Sequence, residues 1–140
     1  MKILYKTKAV SNGGREGKVR IENSAIEFEM GKPLELEGSG KTGVNPEQLF
    51  AAGYAACFES ALEHVARRYK MELNLISVTA EVGIGPNGQG GFQLAVSLIA
   101  TIKGVDQATG DKLVQEAHLV CPYSNATRGN IEVAVSAQIE

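Results

Sequence analysis

Apolar and polar residues alternate from Lys2 to Ala9, with Ile3, Tyr5, Thr7 and Ala9 on one face and Lys2, Lys6 and Lys8 on the other. A period of two predicts a half-buried strand. Ser11-Asn12-Gly13-Gly14 reads as a turn, Gly17 closes the segment, and Val19 and Ile21 open a second strand. After a turn at Asn23-Ser24, Ile26, Phe28 and Met30 alternate with Glu27 and Glu29. That predicts a third strand with one wet face, and the three together read as a meander. Gly31-Lys32-Pro33 breaks the pattern. The following loop, Gly38 to Gly43, ends like a phosphate-binding motif, but the full motif needs a glycine at position 35, which is Glu. A flexible loop is the expectation there.

Asn45-Pro46-Glu47 starts a helix for physical reasons. Asn caps free N–H groups, Pro suits the first helical position, and Glu favours the positive end of the helix dipole. The helix is expected to run to about Tyr69. Its first half, Leu49 to Phe58, is apolar nearly all round, as in a helix buried on every side. A single chain of 140 residues can hardly surround such a helix alone. This predicts a homodimer, with Ala51, Ala52, Gly53, Ala55 and Ala56 permitting close helix approach. Leu75 to Ile84 and Phe92 to Ile102 alternate about a turn-rich Gly85 to Gly91, which predicts a long hairpin. Asp106 can cap a second helix, about Gln107 to Val120, that Pro122 helps to end. Ile131 to Ile139 makes a last strand. The order βββ-α-ββ-α-β is an α+β class in one domain, residues 1–140.

Composition narrows the function classes. Hydrophobic residues are 44% and charged residues 21%, which is too apolar for a disordered chain. Leu49 to Phe58 is half the length needed to cross a bilayer, so no membrane partner is expected. The net charge of −2 lacks the basic excess that nucleic-acid binding needs. Met1-Lys2 is not followed by an export-type apolar run, so a cytoplasmic location is expected. In that compartment the two cysteines are either inert buried thiols or a reactive couple.

No metal is expected. Cys57 and His64 are seven residues apart, about 10.5 Å along a helix, too far to share one ion or to act as a nucleophile–base dyad. Cys57 also lies too deep in its helix for the dipole to acidify it. An ordinary thiol near 8.5 is only about 3% thiolate at pH 7, and burial lowers that further. A reactive Cys57 therefore requires a cation from elsewhere. Bringing its pKa to about 5.5 takes roughly 4 kcal/mol, which a close guanidinium in a dry site can supply. Arg15, set in Gly13-Gly14-Arg15-Glu16-Gly17, is the candidate, and Glu47 could hold its other edge in a bidentate pair.

Asn45-Pro46-Glu47-Gln48-Leu49-Phe50-Ala51-Ala52-Gly53-Tyr54-Ala55-Ala56-Cys57-Phe58 resembles the central-helix motif of the organic hydroperoxide resistance (Ohr) proteins in the OsmC/Ohr superfamily. Cys121-Pro122-Tyr123-Ser124-Asn125-Ala126-Thr127-Arg128-Gly129-Asn130 resembles that family's second-cysteine motif, and Gly13 to Gly17 its glycine-flanked arginine. The resemblance spans essentially the whole chain. It implies the OsmC-like fold, with central buried helices wrapped by sheets in an intertwined homodimer. It implies a thiol peroxidase needing no cofactor, in which Cys57 matches the peroxidatic cysteine, Cys121 the resolving cysteine, and Arg15 and Glu47 the activating pair. The implied substrates are organic and fatty-acid hydroperoxides, and the implied reductant is a dithiol on a lipoylated protein. Leu49, Phe50, Tyr54 and Phe58 are inferred to form an apolar surround for the peroxide.

Glu47 and Cys57 are ten residues apart on one presumed helix, about 15 Å, so Arg15 cannot easily contact both within one chain. Arg15 and Glu47 are therefore expected to serve the Cys57 of the other protomer. Three other readings stay open. One is a non-enzymatic dimeric module binding an apolar ligand, with inert cysteines. The second is a cysteine-dependent acyl hydrolase, weakened by the lack of a histidine within reach of Cys57. The third is a structural disulfide between Cys57 and Cys121.

Overall fold

The structure is a computed structural model that describes residues 1–140, the side chains of Leu75 and Ile76 excepted. It divides into two compact units, Met1–Leu49 and Phe50–Glu140.

In the first unit the expected meander forms. β1 (Ala9–Asn12), β2 (Lys18–Ile21) and β3 (Glu27–Glu29) pair antiparallel in that order, with Val10 opposite Arg20 and Val19 opposite Phe28. The first strand lies later than its alternating pattern predicts. Residues 2–8 fall outside it, and Ile3, Leu4 and Tyr5 are 56%, 89% and 80% exposed. Alternation specifies a strand only when an edge and an apolar face receive it, and these side chains have no such cover. The loop after β3 is anchored rather than loose. Met30, 2% exposed, bridges to Val44, and Ser39 turns its N–H and hydroxyl onto the Glu16 carboxylate at 3.2 and 2.9 Å. The long helix α1 (Pro46–Arg68) opens with Pro46 in its first turn. Asn45 Oδ1 accepts from the Gln48 N–H at 2.8 Å, while the Asn45 N–H donates to Gln48 Oε1 at 2.9 Å. This reciprocal capping satisfies two otherwise orphaned donors.

The second unit carries the remainder of α1 and a sheet in the order β4 (Asn74–Pro86), β5 (Phe92–Lys103), β6 (Val133–Ile139). β4 and β5 form the expected antiparallel hairpin. Asn87 Oδ1 accepts from the N–H groups of Gln89 and Gly91 in its turn. β6 runs parallel to β5, from Val96 opposite Val133 to Ile102 opposite Ile139. A parallel return needs a crossover, and α2 (Gln107–Val120) supplies it, its Asp106 cap accepting from the Thr109 N–H at 2.7 Å. Pro122 ends α2 and also starts a short third helix, α3 (Pro122–Thr127), which periodicity does not reveal. Six residues are too few for a helical stripe to repeat.

The core lies on the helical face of this sheet. Val96, Leu98, Ala100 and Ile102 point inward at alternate positions of β5 and cluster with Phe58, Leu62 and Val65 of α1 and Leu113, Val114 and Ala117 of α2. Each large side chain so buried contributes about 1.5–3 kcal/mol. Gly110 lets α2 lie close on β6, since a Cβ there would come 2.6 Å from Ile139 Cδ1. The apolar first half of α1 is not buried on all sides within this chain. Tyr54 and Phe58 are fully covered, whereas Ala52 and Ala56 are exposed. A helix laid on one sheet buries one face only.

Candidate active site

Two pairs of the expected residues come together, one in each unit. In the first unit Arg15 sits in a 3-10 turn, Gly14–Glu16, between β1 and β2. Gly13 and Gly14 have φ of 82° and 55°, the left-handed region that glycine enters at little cost. The turn throws Arg15 onto Glu47, in the first turn of α1. Nη1 donates to Oε2 and Nη2 to Oε1, both at 2.7 Å. This is the bidentate pair expected from residue types. The Arg15 bond holds the Glu47 carboxyl below its ordinary value, with burial working against it. The same bond raises the Arg15 guanidinium.

A carboxyl with a lowered folded-state pKa stabilises the fold above its unfolded value, about 4.3. That stabilisation is lost as pH falls through the folded value. The Arg15 side chain is 34% exposed, so solvent screens part of the gain. Glu47→Gln is expected to cost about 1 kcal/mol at pH 7 and progressively less toward pH 3. Urea unfolding midpoints of both proteins across that range check this; a difference that does not change with pH contradicts it.

In the second unit Cys57, half-buried on α1, faces Cys121, fully buried between α2 and α3. Both are free thiols, and the Cys121 thiol lies 3.5 Å from the Cys57 sulfur. Burial, followed by the neighbouring Cys121, pushes the Cys57 thiol up from its ordinary value; a hydrogen bond from the Tyr123 N–H pulls the other way. Within this unit Cys57 therefore has a second thiol beside it but a disfavoured thiolate.

Tyr123 is the residue that sequence reasoning passes over. Its N–H faces Cys57, and its ring rests on Gly53, where a Cβ would come 2.7 Å from the phenol oxygen. A glycine inside an apolar helix was the available signal. Phe50, Tyr54 and Tyr123 form an aromatic cluster with ring centroids 5.5–5.8 Å apart. Phe50 also lines an open cleft of about 490 Å³ whose other walls mix Phe92, Leu94 and Ile131 with Asn87, Gln93 and Asn130. Of the other residues expected around a peroxide, Tyr54 and Phe58 lie at zero exposure in the core, and Leu49 is half-buried in the first unit. Among the described residues no three His, Cys, Asp or Glu side chains group as a metal site, and no helix is long and apolar enough to cross a membrane.

The pattern of the OsmC-like protein family matches residues 38–136. An organic hydroperoxide resistance protein of Xanthomonas axonopodis pv. citri is 48% identical over 96% of this chain and 95% of its own. The chain belongs to the organic hydroperoxide resistance branch of the OsmC-like family. Another relative, the organic hydroperoxide resistance protein OhrB of Bacillus subtilis, is 41% identical over 93% of this chain and 95% of its own. The crystal structure of an organic hydroperoxide resistance protein from Elizabethkingia anophelis superposes with a TM-score of 0.94 at 48% identity, covering all of both chains. The Ohr fold expected from the motifs is thus the fold observed.

Proposed function

We propose that this Ohr family member detoxifies organic hydroperoxides as a thiol peroxidase. The observation that carries this reading is the buried Cys121 thiol 3.5 Å from the half-buried Cys57 sulfur. In the first step the Cys57 thiolate attacks the distal peroxide oxygen. The O–O bond breaks, a proton is taken up, the alcohol leaves, and Cys57 becomes a sulfenic acid. In the second step Cys121 attacks that sulfur, and water leaves as the disulfide forms. A disulfide needs about 2.05 Å, so the sulfurs must approach by about 1.5 Å. An external dithiol then reopens the bond by exchange; a lipoylated protein is the proposed donor, and no cofactor takes part. A reducing compartment such as the cytoplasm suits the cycle.

Arg15, held by Glu47, is proposed as the cation that offsets the burial of Cys57. The chain is proposed to act as a homodimer in which that pair serves the Cys57 of the other protomer. Support for a dimer comes from the exposed Ile3, Leu4 and Tyr5 and from Ala52 and Ala56, apolar positions left uncovered in one chain. Phe50 in the cleft, backed by Tyr54, supports an alkyl rather than a small polar peroxide.

Reduced protein treated with one equivalent of an alkyl hydroperoxide should lose two hydrogens, mapped by non-reducing mass spectrometry to a Cys57–Cys121 peptide pair. It should react faster than with hydrogen peroxide. Intact thiols after that treatment overturn the reading and favour a binding module with inert cysteines.

A further inference from the structure

A polar chain crosses the apolar core of the second unit. Tyr54 and Ser124 are 0% and Thr127 5% exposed, and His118 is half-buried. Tyr54 Oη lies 2.9 Å from Ser124 Oγ and 3.2 Å from Thr127 Oγ1, and His118 Nδ1 lies 2.8 Å from Ser124 Oγ. The Thr127 hydroxyl donates to the carbonyls of Tyr123 and Ser124, each at 3.1 Å.

Counting protons gives this chain one direction. A carbonyl only accepts, so with the single Thr127 proton on one of these two carbonyls, Thr127 can only accept from Tyr54. Tyr54, having donated, accepts from Ser124. Ser124, having donated, accepts from His118. All contacts are satisfied only when His118 Nδ1 carries a hydrogen. Burial, with the charge of Arg128, lowers the His118 pKa and so disfavours the charged ring; the contacts then call for the neutral Nδ1–H tautomer.

The placement of the chain matters as much as its direction. Tyr54 precedes Cys57 by three residues on α1, and Ser124 follows Cys121 by three. The Tyr54–Ser124 contact at 2.9 Å and the Cys57–Cys121 contact at 3.5 Å are therefore two rungs joining the same two stretches of backbone, one turn apart. The chain also ends at the carbonyl of Tyr123, whose N–H faces Cys57. Apolar packing tolerates sliding, whereas a satisfied buried network admits one arrangement.

We infer that His118, Ser124, Tyr54 and Thr127 form a positioning device for the sulfur pair, fixing α3 on α1 so that Cys121 stays within bonding reach of Cys57. It rests on the peroxidase reading only for the use made of the disulfide.

Two measurements test it without peroxide. The protein has two histidines, of which His64 is exposed, so nitrogen-15 NMR of the reduced protein can assign the His118 tautomer. The Nδ1–H form is expected; the Nε2–H form overturns the chain. The second measurement equilibrates the two thiols with glutathione disulfide, which yields the Cys57–Cys121 disulfide and two glutathione thiols. The equilibrium gives the effective concentration of one protein thiol at the other.

Ser124→Ala and His118→Leu should each lower it by about tenfold. His118→Asn keeps an N–H near the Nδ1 position and should stay within about threefold of the wild type. Should Ser124→Ala fail to fold, the two His118 variants carry the comparison. Variants that lose stability yet keep the wild-type effective concentration when folded would show mere packing and overturn the proposal. A wild-type protein that forms the disulfide with glutathione, in the expected order of variants, but ignores alkyl hydroperoxide supports the device and overturns the peroxidase reading instead.

Discussion

Cys57→Ser is expected to consume no alkyl hydroperoxide above background, a loss on the order of a thousandfold or more. A serine hydroxyl in the same place is not ionised at neutral pH and cannot replace a thiolate as nucleophile. Cys121→Ser should fail differently. It should fold, reduce about one equivalent of peroxide per Cys57, and then stall with a trappable sulfenic acid, because the sulfur that closes the cycle is gone. The contrast separates a catalytic couple from a structural cross-link. Closing a loop of this length would stabilise the fold by about 4 kcal/mol in the chain-entropy model, so a structural Cys57–Cys121 bond predicts that Cys121→Ser unfolds. Urea unfolding beside stoichiometric peroxide consumption decides between them. Wild-type turnover by Cys121→Ser when the dithiol reductant is supplied would remove Cys121 from the mechanism.

The elements most legible in the sequence were those with long, regular periods or strong local chemistry. The β4–β5 hairpin, α2 with its Asp106 cap, and the start of α1 at Asn45-Pro46 all fall where alternation and capping residues put them. The bidentate Arg15–Glu47 pair was legible because glycines on both sides of an arginine and an acid at a helix start are each locally explained. Three features were not legible, for different reasons. Residues 2–8 carry the pattern of a strand, but a pattern does not say whether its own chain supplies the edge that receives it. The fully apolar start of α1 exposes Ala52 and Ala56 for the same reason. α3 is too short for any period, and the Tyr54–Ser124 rung depends on where α3 lands, 70 residues from Tyr54 in sequence. What lies between distant segments is set by packing, which local pattern does not encode.

Two crippled proteins are expected to make one working site. Arg15→Ala removes the proposed cation. Without it, burial leaves the Cys57 thiol above its ordinary value, and since an ordinary thiol is only about 3% thiolate at pH 7, the thiolate fraction falls about thirtyfold or more from this effect alone. The sign of the pH dependence follows: Arg15→Ala should regain rate as pH rises toward 9, whereas the wild type should change little above pH 7. Cys57→Ser lacks the nucleophile and is inactive at every pH. If Arg15 and Glu47 serve the Cys57 of the other protomer, a heterodimer of the two variants keeps one intact site, in which the Arg15 of the Cys57→Ser chain meets the Cys57 of the Arg15→Ala chain. Co-expressed chains with different tags, purified through both, should then show about half the wild-type specific activity at pH 7, where the Cys57→Ser homodimer has none and the Arg15→Ala homodimer about a few per cent at most. If the pair serves its own chain, the heterodimer has no complete site and does no better than the Arg15→Ala parent, and the assignment across the interface fails. A thiolate absorbance titration of the same heterodimer reads the cause directly: the single Cys57 should ionise at the wild-type pH, because the guanidinium that lowers its pKa comes from the chain that has no Cys57 of its own.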